Sequence, residues 1–490
     1  MLRLAKKNRT GIIYILETLC LTGTLMFLQN MGDEMYQTMR NLWVARGVCL
    51  FVIYMFIIQR VHLFNWQSLV ASLVYLPIGY LYGTRYYGAR DLFRCDAAVA
   101  LAVWVLILIV VDMAVYKKAN QMHKFRKTML GVYAMMAFLM AYCRNGRTDS
   151  IIFPVFFVFY FIPLDRERWK RIIYQFCTAW ILCFGYRFVY SMIKNPEVAK
   201  IGRWYGCFLN IGDFGVFMAA VVVVLLYMML FIKTTYGRKS IPYVAAAALM
   251  VPVIWTVFRV CTITMFIGIG CALVMCFIIL KRDVTAKGVV IRSVAVLISI
   301  PILVMCGLLF LRMLTIADKK YWVDVLKNGN TLMKPIADLI RRAHSVFDRA
   351  RTFADSGVFE EGTLINYLDL VTSGRLSLIK SYAKYFGIVG TDNMGLQVGT
   401  FYAYGTHTTY TQFIFEYGYI GGGMFLIWFA FSMIQSVKQY LRSREIEEIL
   451  LCIWLAMAAG VFLGEMIYLV SPIIFFTMIL IYPLMIKLEK

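Results

Sequence analysis

Apolar runs of about 20 residues recur along nearly the whole chain, and nothing else in the sequence narrows its fold as much. A helix rises 1.5 Å per residue, so about 20 apolar residues cross a hydrocarbon core of about 30 Å. Spans are expected at 11–29, 42–58, 68–84, 97–115, 128–143, 151–163, 172–194, 211–232, 240–258, 260–280, 293–313, 419–437, 449–468 and 471–486. That makes about fourteen. Hydrophobic residues make up 61% of the 490 positions, where soluble domains hold roughly 45–50%. The expected fold class is an all-α polytopic integral membrane protein with one large extracytoplasmic helical loop. Transmembrane helices fill 1–313, the loop with amphipathic helices covers 314–406, and a re-entry helix with the last spans occupies 407–490.

Charge sets the orientation, because short cytoplasmic loops collect Lys and Arg. With the N-terminus inside, about half of all Lys and Arg fall in cytoplasmic loops and tails, most densely at Lys117, Lys118, Lys124, Arg126 and Lys127. Both termini are expected on the cytoplasmic side of the cytoplasmic membrane. The net charge of +23 is then explained by inner loops held against anionic membrane lipids, and no nucleic acid is needed as a partner. The first apolar run lacks a small-residue cleavage site and reads as the first span. Most of the twelve cysteines sit in apolar spans as packing residues, while Cys95, Cys143, Cys207 and Cys261 near the outer ends leave a disulfide open. No Cys/His spacing suits a metal ion. No internal repeat stands out of the kind that builds many transporters.

The loop is patterned. Apolar residues from Ile336 to Phe353 recur at helical spacing against Arg341, Arg342, Arg349 and Arg351, which suits a basic amphipathic helix on the membrane surface. A second helix is expected from a Ser373 cap, burying Leu376, Ile379, Ala383 and Phe386 and ending at Gly387–Gly390. Thr406 is expected to cap a short helix that starts at His407 and runs through Phe413 and Phe415 to Gly418.

The arginines are placed against expectation. Arg46, Arg187, Arg259 and Arg312 lie within or at the edge of spans, all toward the outer leaflet, and Arg203 and Arg375 join them on that side. Arginine at the centre of a membrane helix costs about 2.5–3.5 kcal/mol on insertion scales and tends to mark function. A lipid phosphate or diphosphate matches the guanidinium fork. At Arg375 the free N–H groups of a helix start can hold the same anion. Each of these side chains also has a plainer use, snorkelling to headgroups.

The stretch Ser373-Gly374-Arg375, a helix, Gly-rich turns, Gly405-Thr406-His407 and then Glu416-Tyr417-Gly418-Tyr419-Ile420-Gly421 resembles the core of the O-antigen ligase and O-antigen polymerase superfamily. Gly202-Arg203-Trp204-Tyr205-Gly206-Cys207-Phe208-Leu209-Asn210 is similar to that family's stretch before a span, and Thr256-Val257-Phe258-Arg259 to another. The resemblance covers about 200–485. The chain departs from the pattern at Thr408, where the family often has Asn, at Phe258, where it has Ser, and in lacking a Trp after Arg375.

The resemblance implies a metal-independent glycosyltransferase of the GT-C type without a cofactor. It would move a glycan from a polyprenyl-diphosphate carrier to a hydroxyl of a glycan or lipid acceptor on the outer face. In that chemistry Arg203, Arg259 and Arg375 neutralise the diphosphate leaving group, and His407 takes the proton of the acceptor hydroxyl. Arg187, Arg312, Glu416 and Tyr404 support them, with Tyr402, Tyr404 and Tyr410 available to stack on sugars. Polymerisation of repeat units is favoured. Ligation of finished glycan to a lipid, protein or wall acceptor and, in a different class, flipping of the lipid-linked glycan are the alternatives.

Overall fold

A computed structural model of the chain describes residues 2–29, 37–62, 65–87, 95–116, 152–194, 211–232, 241–260, 262–280, 319–328, 337, 340, 375–391, 395–398, 401–465, 467 and 471–485. The helices are α1 (Leu2–Gln29), α2 (Gln37–Gln59), α3 (Trp66–Tyr87), α4 (Cys95–Val115), α5 (Ile152–Phe161), α6 (Arg166–Lys194), α7 (Ile211–Tyr227, continued by a π turn Met228–Ile232), α8 (Ile241–Val260), α9 (Ile263–Leu280), α10 (Lys319–Asn328), α11 (Arg375–Ala383), α12 (Thr409–Ser443), α13 (Ile446–Gly464), α14 (Pro472–Leu480) and α15 (Tyr482–Met485). Each expected span coincides with a helix except 128–143 and 293–313, which lie outside the described residues.

Among the described residues, six helices are long and apolar enough to cross a membrane: Gly11–Gln29, Ala97–Val115, Arg166–Tyr190, Gly212–Phe231, Thr409–Ser443 and Ile446–Gly464. Large apolar side chains such as Leu73, Ile193, Val251, Phe277 and Ile427 are exposed, as lipid-facing surface is. The chain is an α-helical, multi-pass membrane protein.

One pair of strands departs from the all-helical expectation. β1 (Gly395–Val398) and β2 (Phe401–Tyr404) form an antiparallel hairpin with Leu396 opposite Ala403 and Val398 opposite Phe401. Its aromatic and β-branched residues favour a pleated strand, and the segment is too short for a stable helix.

The chain divides into two compact units. The first comprises residues 1–187, 428–436 and 468–490. Its core is aromatic: Phe51 meets Phe156 at 5.2 Å and Phe475 edge-on at 4.9 Å, and Trp169 stacks on Tyr482 at 5.8 Å. The Tyr160 hydroxyl donates to the Met478 carbonyl at 2.8 Å, and Tyr482 accepts from the Leu164 N–H and donates to the Ile162 carbonyl. Buried charge is paired in this unit. Glu17 of α1 receives Arg171 and Gln175 of α6, each at 2.6 Å, and the Tyr54 hydroxyl donates to Gln175 at 3.2 Å. Asp112, fully buried in α4, accepts from the His62 backbone N–H at 3.0 Å and lies 3.1 Å from its Nδ1.

The second unit comprises 188–427 and 437–467. Here α7, α9 and α13 pack on one another, and α8 packs on α7. Small residues let the backbones close up: a Cβ on Gly460 of α13 would come within 3.0 Å of the Gly268 Cα of α9. Such contacts bring helices together in lipid, where no hydrophobic drive exists. Cys271 and Cys276 of α9 are free thiols within this packing.

Candidate functional site

The helix ends around the start of α12 build a polar cluster. α13 ends at Gly464 beside the start of α9, where the Thr264 hydroxyl donates to the Gly464 carbonyl at 2.9 Å. The next carbonyl, Glu465, accepts from Thr409 at the start of α12 at 2.7 Å, and the same hydroxyl receives the Ile467 N–H at 3.0 Å. The Glu465 carboxylate lies against the first turn of α7, since a Cβ on Gly212 would stand 2.6 Å from its Oε2. A Cβ on Gly215, one turn on, would collide with the Thr262 hydroxyl that precedes α9. The starts of α7, α9 and α12 and the end of α13 therefore share one location. A carboxylate beside a helix start is favourably placed against the N-terminal dipole.

His407 stands exposed above this cluster while its neighbours are buried. Thr406 and Thr409 are wholly inaccessible, and Gln412 and Glu416 are nearly so. The Gln412 carbonyl oxygen accepts the Thr406 N–H at 2.9 Å, and its amide nitrogen donates to Glu416 at 3.0 Å. The Thr406 hydroxyl donates to the Thr408 carbonyl at 3.0 Å, bridging over His407. The Gly405 N–H bonds the Tyr382 hydroxyl of α11 at 2.7 Å. His407 itself has φ 56°, the left-handed region, which costs a residue with a β-carbon roughly 1–2 kcal/mol. Strain of this kind persists only where the surroundings enforce it, and it clusters at functional sites.

The cap of this helix differs from expectation. Thr408 is the N-cap and its side chain accepts the Thr411 N–H, so His407 precedes the helix and Thr406 does not cap it. The chain turns sharply at His407, and only after that turn does a threonine oxygen face the open N–H groups of the first turn.

α11 joins the cluster through Tyr382, which also meets Phe415 edge-on at 4.9 Å. Its buried face is Leu378 and Tyr382 with Phe386 packed against them, while Ala383 is exposed and Ile379 only partly buried. The face is turned by one residue from the expected Ile379 and Ala383, because the tyrosine brings both a ring and the hydroxyl that the Gly405 N–H requires.

The expected site residues fall as follows. Arg375 is the first residue of α11. Arg259 is the penultimate residue of α8, in the turn that ends just before Thr262. Tyr404 closes β2, opposite Gly395 and immediately before Gly405. Glu416 is buried in the cluster behind His407. Arg203 and Arg312 lie outside the described residues. Arg187 belongs to the first unit, is buried, and donates to the Met26 carbonyl at 3.3 Å. Arg46, also in that unit, lies over the rings of Trp43 and Phe27 at 5.5 and 6.0 Å. Tyr410 is held in packing, its hydroxyl on the Ala459 carbonyl at 3.0 Å and its ring edge-on to Phe462. Of the basic helix expected over 334–353, Ala337 and Ile340 are helical and buried, and the rest lies outside the described residues.

Gln412 and Thr409 are cluster members that the sequence did not single out, whereas Glu465 stood out there as a partner for one of the outer arginines and here lies against the first turn of α7. Gln412 carries a signal in hindsight: a glutamine four residues before a glutamate shares its helix face. Among the described residues no group of three or more His, Cys, Asp or Glu side chains is placed to hold a metal ion. No protein-family model, characterised protein or solved structure matches the chain.

Proposed function

We propose that this membrane protein is a glycosyltransferase of the GT-C type, with about fourteen crossings, that moves a glycan from a polyprenyl-diphosphate carrier to an acceptor hydroxyl on the outer face of the cytoplasmic membrane. Polymerisation of repeat units is the favoured form of the reaction, and ligation to a lipid, protein or wall acceptor is the close alternative. One observation carries the reading: an exposed, left-handed histidine is held by a buried polar cluster where the starts of α7, α9 and α12 meet the end of α13.

The chemistry follows from the groups present. The acceptor oxygen attacks the anomeric carbon of the donor sugar, the bond from that carbon to the diphosphate oxygen breaks, and the acceptor proton passes to the His407 imidazole. An imidazole suits that role because it can take up and release a proton near neutral pH. The diphosphate leaves with developing negative charge, which the guanidinium groups of Arg203, Arg259 and Arg375 neutralise. A positive charge already in place costs nothing to reorganise at the moment of reaction.

A second reading, translocation of the lipid-linked glycan, draws on the buried polar groups of the first unit, Glu17 with Arg171 and Gln175. These groups are spent on one another, with Glu17 only 4% exposed, and a transport path needs groups that a substrate can reach. Profiling lipid-linked glycans after deletion of the gene separates the readings. Single repeat units accumulating on the outer face are expected for a polymerase, and long chains retained on carrier for a ligase. Units trapped on the inner face would overturn the enzyme reading in favour of a flippase.

A further inference from the structure

α12 is too long for one crossing, and its break explains what it does with the excess. It runs over 35 residues, where about 20 suffice to cross a bilayer. At Gly418 the backbone leaves the helix (φ 72°, ψ 177°). The strap from Gly387 to Thr391 crosses at that break: the Tyr419 N–H bonds the Gly387 carbonyl at 2.8 Å, and the Phe415 carbonyl accepts the Thr391 N–H at 2.9 Å. The strap thus satisfies backbone groups that the break frees, a need that is acute near lipid. The fit is close, because a Cβ on Gly390 would sit 1.9 Å from the Glu416 carbonyl oxygen.

What the strap and the residues beside it present outward is apolar and aromatic. Tyr385, Ile388, Val389, Tyr419 and Ile420 are 43%, 68%, 50%, 56% and 46% exposed. This patch is continuous with the lipid-facing side of α12: from Ile420 the exposed apolar positions step by seven residues, about two turns, to Ile427 and Ile434, and the exposed Lys438 follows one turn on. Ile420 to Lys438 spans about 27 Å at the helical rise, close to the ~30 Å hydrocarbon thickness. Tyrosines favour the membrane interface, and lysines reach from it to headgroups. Both occur at the strap, where the exposed Lys384 adjoins Tyr385.

We propose that the tip of this strap, with Tyr419 and Ile420, is a lipid-binding anchor sunk into the leaflet nearest Gly418. It fixes the break at the membrane boundary, where Thr409–Tyr417 folds back on the helix beyond Gly418, with Phe413 against Phe425 at 4.3 Å. The inference stands on the membrane fold alone and does not depend on the chemistry assigned to His407.

The test is photo-crosslinking of the full-length protein in phosphatidylcholine vesicles, with benzoylphenylalanine replacing Ile388, Ile427 or Arg444, the exposed residue that ends α12, in turn. Phospholipid acyl-chain adducts are expected at 388 as at 427, and not at 444. An adduct of position 388 with another segment of this chain, or with a second copy, would overturn the proposal. So would no adduct at 388 where 427 reacts. If the Ile388 variant does not reach the membrane, Tyr385 or Val389 carries the probe with the same two outcomes.

Discussion

A strained backbone at position 407 separates what His407 does for the fold from what it does for chemistry. His407→Gly removes the left-handed penalty, roughly 1–2 kcal/mol, along with the imidazole. The purified variant is expected to melt at or near the wild-type temperature, while transfer falls about 10²- to 10⁴-fold, the usual contribution of a general base. A large drop in melting temperature would make the histidine a structural residue. Gln412 gives the converse case, since Gln412→Met leaves the buried Thr406 N–H without its acceptor. A lost buried partner costs about 1–3 kcal/mol, so a thermal melt should show destabilisation, together with reduced transfer as the turn at His407 relaxes. In the sequence His407 stood out only through the resemblance that its Gly405-Thr406-His407 run helps to carry. The sequence did not reveal the conformation, because Thr406, Thr408 and Thr409 are all competent caps and only the path of the chain chooses among them.

At the scale of elements, the break in α12 has consequences of its own. Gly418→Ala places a β-carbon at φ 72° and within 2.2 Å of the Ile388 carbonyl oxygen. Strain in that region alone costs about 1–3 kcal/mol, so the variant is expected to lose the strap and melt well below wild type. Gly423→Ala, which meets nothing within 4 Å, should be neutral in the same assay. Glycine marked this break in the sequence, and the span expected from 419 begins where the helix resumes. The buried face of α11 was not legible to the residue. Apolar periodicity weighs Ile379 against Leu378 without seeing that the Tyr382 hydroxyl has a backbone partner in the distant Gly405. The hairpin escaped for a related reason, as a four-residue strand has no periodicity to read.

For the molecule as a whole, the apolar runs made most of the helices legible, because spanning length is set by the bilayer and not by neighbours. Pairings such as Glu17 with Arg171 and Gln175 were not, since contacts between helices far apart in sequence leave no local pattern. The distribution of Lys and Arg predicts both termini in the cytoplasm. A C-terminal green fluorescent protein fusion should therefore fluoresce, and a C-terminal alkaline phosphatase fusion should be inactive. The opposite pair of results would invert the side on which His407 faces.

The proposed role of His407 as the base of glycan transfer is open to one decisive measurement, the lipid-linked glycan profile of a deletion strain carrying His407→Gln. With His407 as the base, the variant reaches the membrane at normal levels and carrier-linked units accumulate on the outer face, as in the deletion. A wild-type profile from that variant would contradict that role.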